Sequence, residues 1–142
     1  MGAHESSTDH RGLDVLDLDE CLARMSRVPV GRLVYMQDGE PVVLPVNHGV
    51  DGNDVVFRTT WGSKLQQAQH AKLVAFEVDE FDATTRTGWS VVIVGRASVV
   101  YDDQEVARLE KLGVKSWAGA LDPVFWVRIR PEQVTGREIP RH

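Results

Sequence analysis

The sequence predicts a mainly β fold, a six-stranded antiparallel barrel with short helices, and three observations carry that prediction. From Pro29 onward, short apolar runs are divided by turn residues, and Asp38-Gly39 and Asp51-Gly52 sit between such runs as hairpin signals. Residues 89–101 form a long strand in which Trp89, Val91, Ile93, Ala97, Val99 and Tyr101 share one face, while Val92, Val94 and Val100 make the other face apolar too. Gly95 interrupts that strand where a sharp bend needs relief from side-chain crowding, as at a barrel corner. A strand apolar on both sides must be covered on both sides, so barrel closure plus a partner surface is the simplest account.

Taken in order, residues 1–12 carry no large apolar side chain after Met1 and are expected to be a mobile leader, with a single folded domain over 13–142. Leu18, Cys21, Leu22 and Met25 then recur at the spacing of a helix with one buried stripe. Asp17 can cap it and Glu20 is placed to bond back; Cys21 reads as a small packed residue. Strands follow over 31–36, 41–50 and up to Thr59. Residues 61–70, rich in Gln, Ala, Lys and Leu, read as a crossover helix. A strand over 73–79, a polar loop over 80–87 and the long strand come next. Asp102 or Asp103 caps a helix striped by Val106, Leu109 and Leu112 and ended by Gly113; a loop over 114–122 carries Trp117, and the last strand covers 123–130.

Composition excludes several classes. With 142 residues, 42% hydrophobic and 26% charged, the chain suits one compact soluble domain. No run approaches the roughly 20 apolar residues of a membrane helix and no secretory centre is present, so a cytoplasmic protein with no membrane partner is expected. A net charge of -5 argues against a nucleic-acid partner. One cysteine rules out an internal disulfide framework or a multi-cysteine metal site, and His4, His10, His48, His70 and His142 lack close Cys or carboxylate partners in sequence, so no metal site is expected.

The most informative stretch is Arg58-Thr59-Thr60-Trp61-Gly62-Ser63-Lys64, which runs from a strand into the expected crossover helix. A helix start offers unpaired N–H groups and a positive dipole end; here Arg58, Thr59, Thr60, Ser63 and Lys64 add cations and hydroxyls. That is the donor set a phosphate monoester needs. An ordinary capped helix with solvated charges would use the same residues. Neither a P-loop nor a Gly-x-Gly-x-x-Gly fingerprint is present, which sets aside nucleotide-hydrolysis and Rossmann readings.

The order Gly31-Arg32-Leu33, Pro45-Val46-Asn47, Phe57-Arg58-Thr59, Gly62-Ser63-Lys64-Leu65, residues 74–79 (Val-Ala-Phe-Glu-Val-Asp), Gly88-Trp89-Ser90-Val91 and Gly95-Arg96-Ala97 resembles the pyridoxamine 5'-phosphate oxidase-like FMN-binding split-barrel family, in its short bacterial branch. The resemblance spans about 17–139. It implies a homodimer that binds FMN, or in some relatives a 5-deazaflavin coenzyme, between its subunits. On this likeness Arg58, Thr59, Ser63 and Lys64 match positions that hold the phosphate and ribityl chain, and Thr60 beside them is a further cofactor-binding candidate. Pro45, Val46 and Asn47 match the strand whose backbone edge faces the flavin ring. Trp89 and Ser90 match positions that reach the cofactor from the other subunit. Trp126 is a candidate cover for the ring, or else an aromatic of the barrel surface or dimer core.

What the resemblance implies about activity is a flavin-dependent oxidoreductase with a small-molecule redox substrate, in which the coenzyme carries the chemistry and no side chain need be an acid or base. No C-terminal Arg- and His-containing substrate motif of true pyridoxamine-phosphate oxidases follows Gly136-Arg137, so that oxidation is not the expected reaction. Two alternatives stand beside it. A 5-deazaflavin-dependent reductase would want extra cations near the groove, for which Lys72, Arg86 and Arg96 are candidates. A non-catalytic flavin-binding or sensing dimer would use the same cradle, and a structural dimer would need none.

Overall fold

A computed structural model describes residues 7–9, 11–60, 72–117 and 125–140. Asp17 opens helix α1 (Leu18–Arg27), its Oδ1 accepting the Glu20 N–H at 2.9 Å, which satisfies one of the unpaired donors of a helix start. The Glu20 carboxylate pairs with Arg24 Nε one turn on, at 3.2 Å. Cys21 and Met25 are buried as the stripe predicts, while Leu18 stays 46% exposed.

Six strands follow: β3 (Val30–Gln37), β4 (Glu40–Asp51), β5 (Asp54–Thr59), β6 (Lys72–Asp82), β7 (Thr87–Val99) and β8 (Phe125–Glu138). Helix α2 (Asp103–Glu110) lies between the last two and is capped by Asp102, whose side chain accepts the Gln104 N–H. Neighbouring strands run antiparallel in the order β8-β5-β4-β3-β6-β7, and β7 pairs back onto β8, closing the ring of six. Both two-residue hairpin loops use left-handed backbone: Asp38 and Gly39 have φ of 52° and 79°, and Gly52 has φ of 62°, matching the twist of the flanking strands.

Closure depends on a bulge. Pairing slips between Val94↔Gln133 and Gly95↔Pro131, and a Cβ on Gly95 would stand 2.2 Å from the Arg130 carbonyl oxygen. Pro131 has no N–H to give a ladder, and the bulge is where that omission costs least. The last strand therefore does not stop at Arg130, as expected from sequence, but continues through Pro131 to Glu138.

Inside the barrel Leu33, Val55, Phe57, Phe76, Val91, Ile93, Val127 and Ile129 are fully buried, with Cys21 and Met25 of α1 packed against them. Phe57 and Phe76 lie nearly parallel with centroids 6.1 Å apart, and His48 meets Phe76 edge-on at 5.1 Å.

One further expectation is corrected, and part of the leader is described. The polar stretch over 80–87 is mostly strand, with Glu80↔Trp89, Phe81↔Gly88 and Asp82↔Thr87 paired; its turn is residues 83–86, held by Asp82 Oδ1 accepting the Thr84 and Thr85 N–H groups. The leader is engaged over its described part. Strand β1 (Ser7–Thr8) pairs with β2 (Asp14–Leu16), which lies on the end of β8. Asp9 accepts the Arg11 and Leu13 N–H groups and an Arg137 Nε at 3.1 Å, so polar bonds order a segment that has no apolar surface to bury. The helix expected over 61–70, with Ser63 and Lys64, lies outside the described residues.

Candidate functional site

The barrel is split on one side. β4 pairs with β5 only from His48 to Asp51, so residues 40–47 have no ladder partner on that edge among the described strands. β5 ends at Thr59, where it has turned toward β8. In the gap lies a pocket of about 230 Å³. Its β4 wall is Leu44, Pro45, Val46 and Asn47; Arg58, Thr59 and Thr60 form the opposite wall, and Val114 and Ser116 close it from the segment after α2. Six residues singled out by sequence thus meet at one place.

Arg58 is the cation of this pocket. Its guanidinium carbon sits 5.7 Å from the centre of the Trp126 ring, and Nη1 is 3.9 Å from Glu110 Oε2. Its Nε is buried without a hydrogen-bond partner, a state that costs free energy until an acceptor arrives. None of the described lining residues is acidic.

Trp126 does not line the pocket. It is 4% exposed and packs with Val56 and Leu109 behind Arg58, donating its indole N–H to Glu110 Oε1 at 2.9 Å. The ring is therefore a floor for the guanidinium. α2, which carries Glu110, is anchored to the barrel by charge: Arg108 binds both Asp51 oxygens, and Arg128 bridges Asp51, Asp54 and Glu105 at 2.9, 2.9 and 2.6 Å. Arg108 and Arg128 together hold the Asp51 carboxyl well below the ordinary carboxylate range.

Asn47 ties down the remaining wall. Its Oδ1 accepts the Trp117 N–H at 2.9 Å, which draws the segment 113–117 across the mouth. Sequence reasoning missed Val114, Ser116 and Glu110, because nothing local marks them; they arrive through the anchoring of α2. Trp89 and Ser90 lie elsewhere on the chain: Trp89 is buried under Arg24, 5.9 Å from its guanidinium carbon, and lines a separate cleft with Phe81, Glu138 and Ile139. Lys72, Arg86 and Arg96 do not line the Arg58 pocket either; Lys72 lies over Tyr35 and Arg96 faces Glu132.

The chemistry of this donor set fits a phosphate end: an unspent buried guanidinium N–H, hydroxyl-bearing Thr59, Thr60 and Ser116, and no carboxylate in the lining. The unpaired β4 edge beside it offers main-chain groups to a planar ring. At about 230 Å³ the cavity is below the roughly 300–1,000 Å³ of a complete ligand pocket. Among the described residues no group of three His, Cys, Asp or Glu side chains gathers that could hold a metal ion, and no described helix is long and apolar enough to cross a membrane.

The family model for pyridoxamine 5'-phosphate oxidase matches residues 17–138. The uncharacterized protein Rv0080 of Mycobacterium tuberculosis is 39% identical over 130 residues, covering 87% of this chain and 84% of that protein. A solved protein of Corynebacterium glutamicum is similar over 89% of this chain and 98% of its own, at 34% identity and a TM-score of 0.79. The FAD binding protein from Mycobacterium smegmatis is similar over 90% of this chain and 99% of its own, at 34% identity and a TM-score of 0.75.

Proposed function

The chain belongs to the pyridoxamine 5'-phosphate oxidase family, and from that premise we propose that it is a cytoplasmic, homodimeric flavin-dependent oxidoreductase acting on a small-molecule redox substrate. The observation that carries the reading is the split between β4 and β5, with the buried, unpartnered Arg58 Nε beside a cavity free of acidic lining. When bound, the flavin supplies the electron-transfer chemistry. Arg58 holds the phosphate, with Thr59, Thr60, Ser63 and Lys64 as further ligands. Pro45, Val46 and Asn47 orient the ring along an unpaired strand edge, where fixed main-chain dipoles favour the charge of a reduced ring. The phosphate is common to FMN and to the longer flavin named for the Mycobacterium smegmatis relative, so the cradle serves either. Lys72, Arg86 and Arg96, the cations suggested for a 5-deazaflavin tail, do not line this pocket.

Support for the dimer comes from the outer face of the barrel. Register places Val43, Val34, Ala75 and Val94 in one row across β4, β3, β6 and β7. Val43 is 59%, Met36 50% and Leu73 48% exposed beside that row. A second subunit seated there would cover this apolar surface and would bring its own Trp89 and Ser90 toward the cofactor, as the family likeness implies.

The test is the absorption spectrum of the purified protein with and without added FMN, alongside sedimentation to read the dimer. The double variant Arg58→Ala/Lys64→Ala is expected to lose FMN while remaining a folded dimer. Full-affinity FMN in that variant would overturn the site.

A further inference from the structure

A second cavity, of about 570 Å³, opens beside the first and shares Asn47 and Val114 with it. Its lining brings Arg27 from the end of α1 together with Lys115 and Trp117 from the segment after α2, and with His48 from β4. No acidic residue lines it among the described residues, in a chain where 21 acidic side chains outnumber 16 basic ones. Neither Arg27 nor Lys115 has an ion-pair partner among the described residues, and the Trp117 ring is 71% exposed. A large aromatic held out in solvent is costly unless something planar covers it.

His48 lines the cavity from β4 as a buried side chain. The residue is 7% exposed, its Nε2–H donates to the Met25 carbonyl oxygen at 3.0 Å, and Nδ1 is buried without a partner.

We propose that this second cavity binds the anionic group of a planar ligand, a phosphate or carboxylate on an aromatic ring, with Arg27 and Lys115 taking the charge and Trp117 stacking on the ring. Its place against the flavin pocket gives two sources of that chemistry: a separate substrate, or the adenylate half of a dinucleotide flavin whose other half fills the Arg58 pocket. Either assignment rests on the flavin reading, but the anion site itself is separable from it.

The experiment compares the wild type with Arg27→Gln/Lys115→Gln, checked for an unchanged melting temperature, by titrating FMN, FAD, 5'-AMP and salicylate and reading flavin and Trp117 fluorescence, with Trp117→Phe as control. FMN affinity is expected to be equal in both proteins. FAD binding at least tenfold tighter than FMN, with that advantage lost in the double variant, supports the adenylate source. FAD equal to FMN, with 5'-AMP or salicylate binding the FMN-loaded wild type at least tenfold tighter than the variant, supports a separate substrate. Equal affinities of wild type and variant for FAD, 5'-AMP and salicylate, or no binding of any of the three, overturns the site. If the flavin reading fails, FMN does not bind, and the 5'-AMP and salicylate titrations of the flavin-free protein still decide the anion site.

Discussion

The indole N–H of Trp126 and the carboxylate of Glu110 are joined at 2.9 Å, and this bond keeps a negative charge behind Arg58. With Oε1 held by Trp126, Oε2 stands 3.9 Å from Arg58 Nη1, so Glu110 competes with any phosphate for the same guanidinium. Glu110→Gln keeps an acceptor for Trp126 but removes the charge. FMN affinity is expected to rise by about three- to tenfold, more at low salt than at high salt. Titration across salt concentrations checks this, and a weaker-binding variant would mean that Glu110 supports Arg58 instead of competing with it.

Gly95 faces Pro131 across the seam that closes the barrel. A methyl group there would meet main-chain atoms of Arg130 and Pro131 at 2.2 to 2.9 Å, and a backbone cannot step aside as a side-chain tip can. Gly95→Ala is expected to cost about 2–4 kcal/mol of folding stability. Urea unfolding measures it; a loss under about 0.5 kcal/mol would show that the bulge can shift.

This seam also marks what the sequence makes legible. Gly95 announces a bend because a glycine inside an apolar strand needs a steric reason, and the hairpins at Asp38-Gly39 and Gly52 are local turn chemistry. Pro45, Val46, Asn47, Arg58, Thr59 and Thr60 share a pocket because motif order follows strand order. The continuation of β8 past Pro131 is hidden, since proline reads as a strand end unless its partner is known to bulge. The engagement of Ser7–Thr8 and Asp9 is equally hidden: it rests on Arg137, far along the chain. Trp126 was legible as an important aromatic but not as the floor under Arg58, because that role depends on where α2 sets Glu110.

On the outer face of the barrel, Arg32 Nη1 bonds Glu77 at 2.9 Å and Asp79 at 2.7 Å. Burial, and then the neighbouring Asp79, push the Glu77 carboxyl up from 4.5 to about 7, against the pull of Arg32. A carboxyl raised on folding contributes stability that is complete below its unfolded value and is lost as pH rises through about 7. Glu77→Gln mimics the protonated form. It is expected to melt with the wild type below pH 4.5 and above it in the mildly alkaline range; coincident melting curves at both would remove the strained carboxyl.

Asp51 carries the opposite sign. Hydrogen bonds from Arg108 and Arg128 hold its carboxyl far below the ordinary value of 3.8, and a carboxyl lowered on folding gives stability that is complete above the unfolded value and drains away as pH falls below it. With its side chain only 17% exposed, Asp51 is screened little by solvent. Asp51→Asn leaves Arg128 bonded to Asp54 and Glu105 but strips Arg108 and Arg128 of their shared anion. The expected cost near neutral pH is about 2 kcal/mol, typical of hydrogen bonds to a charged group, shrinking as pH falls below about 4 because the unfolded wild type then takes up the proton. Because this network seats α2, and the segment after α2 supplies Val114 and Ser116 to the pocket, the same variant is expected to weaken FMN binding at neutral pH. Urea unfolding over a pH series, with an FMN titration at neutral pH, checks both parts; a stability gap that stays constant into acid would separate Asp51 from the clamp.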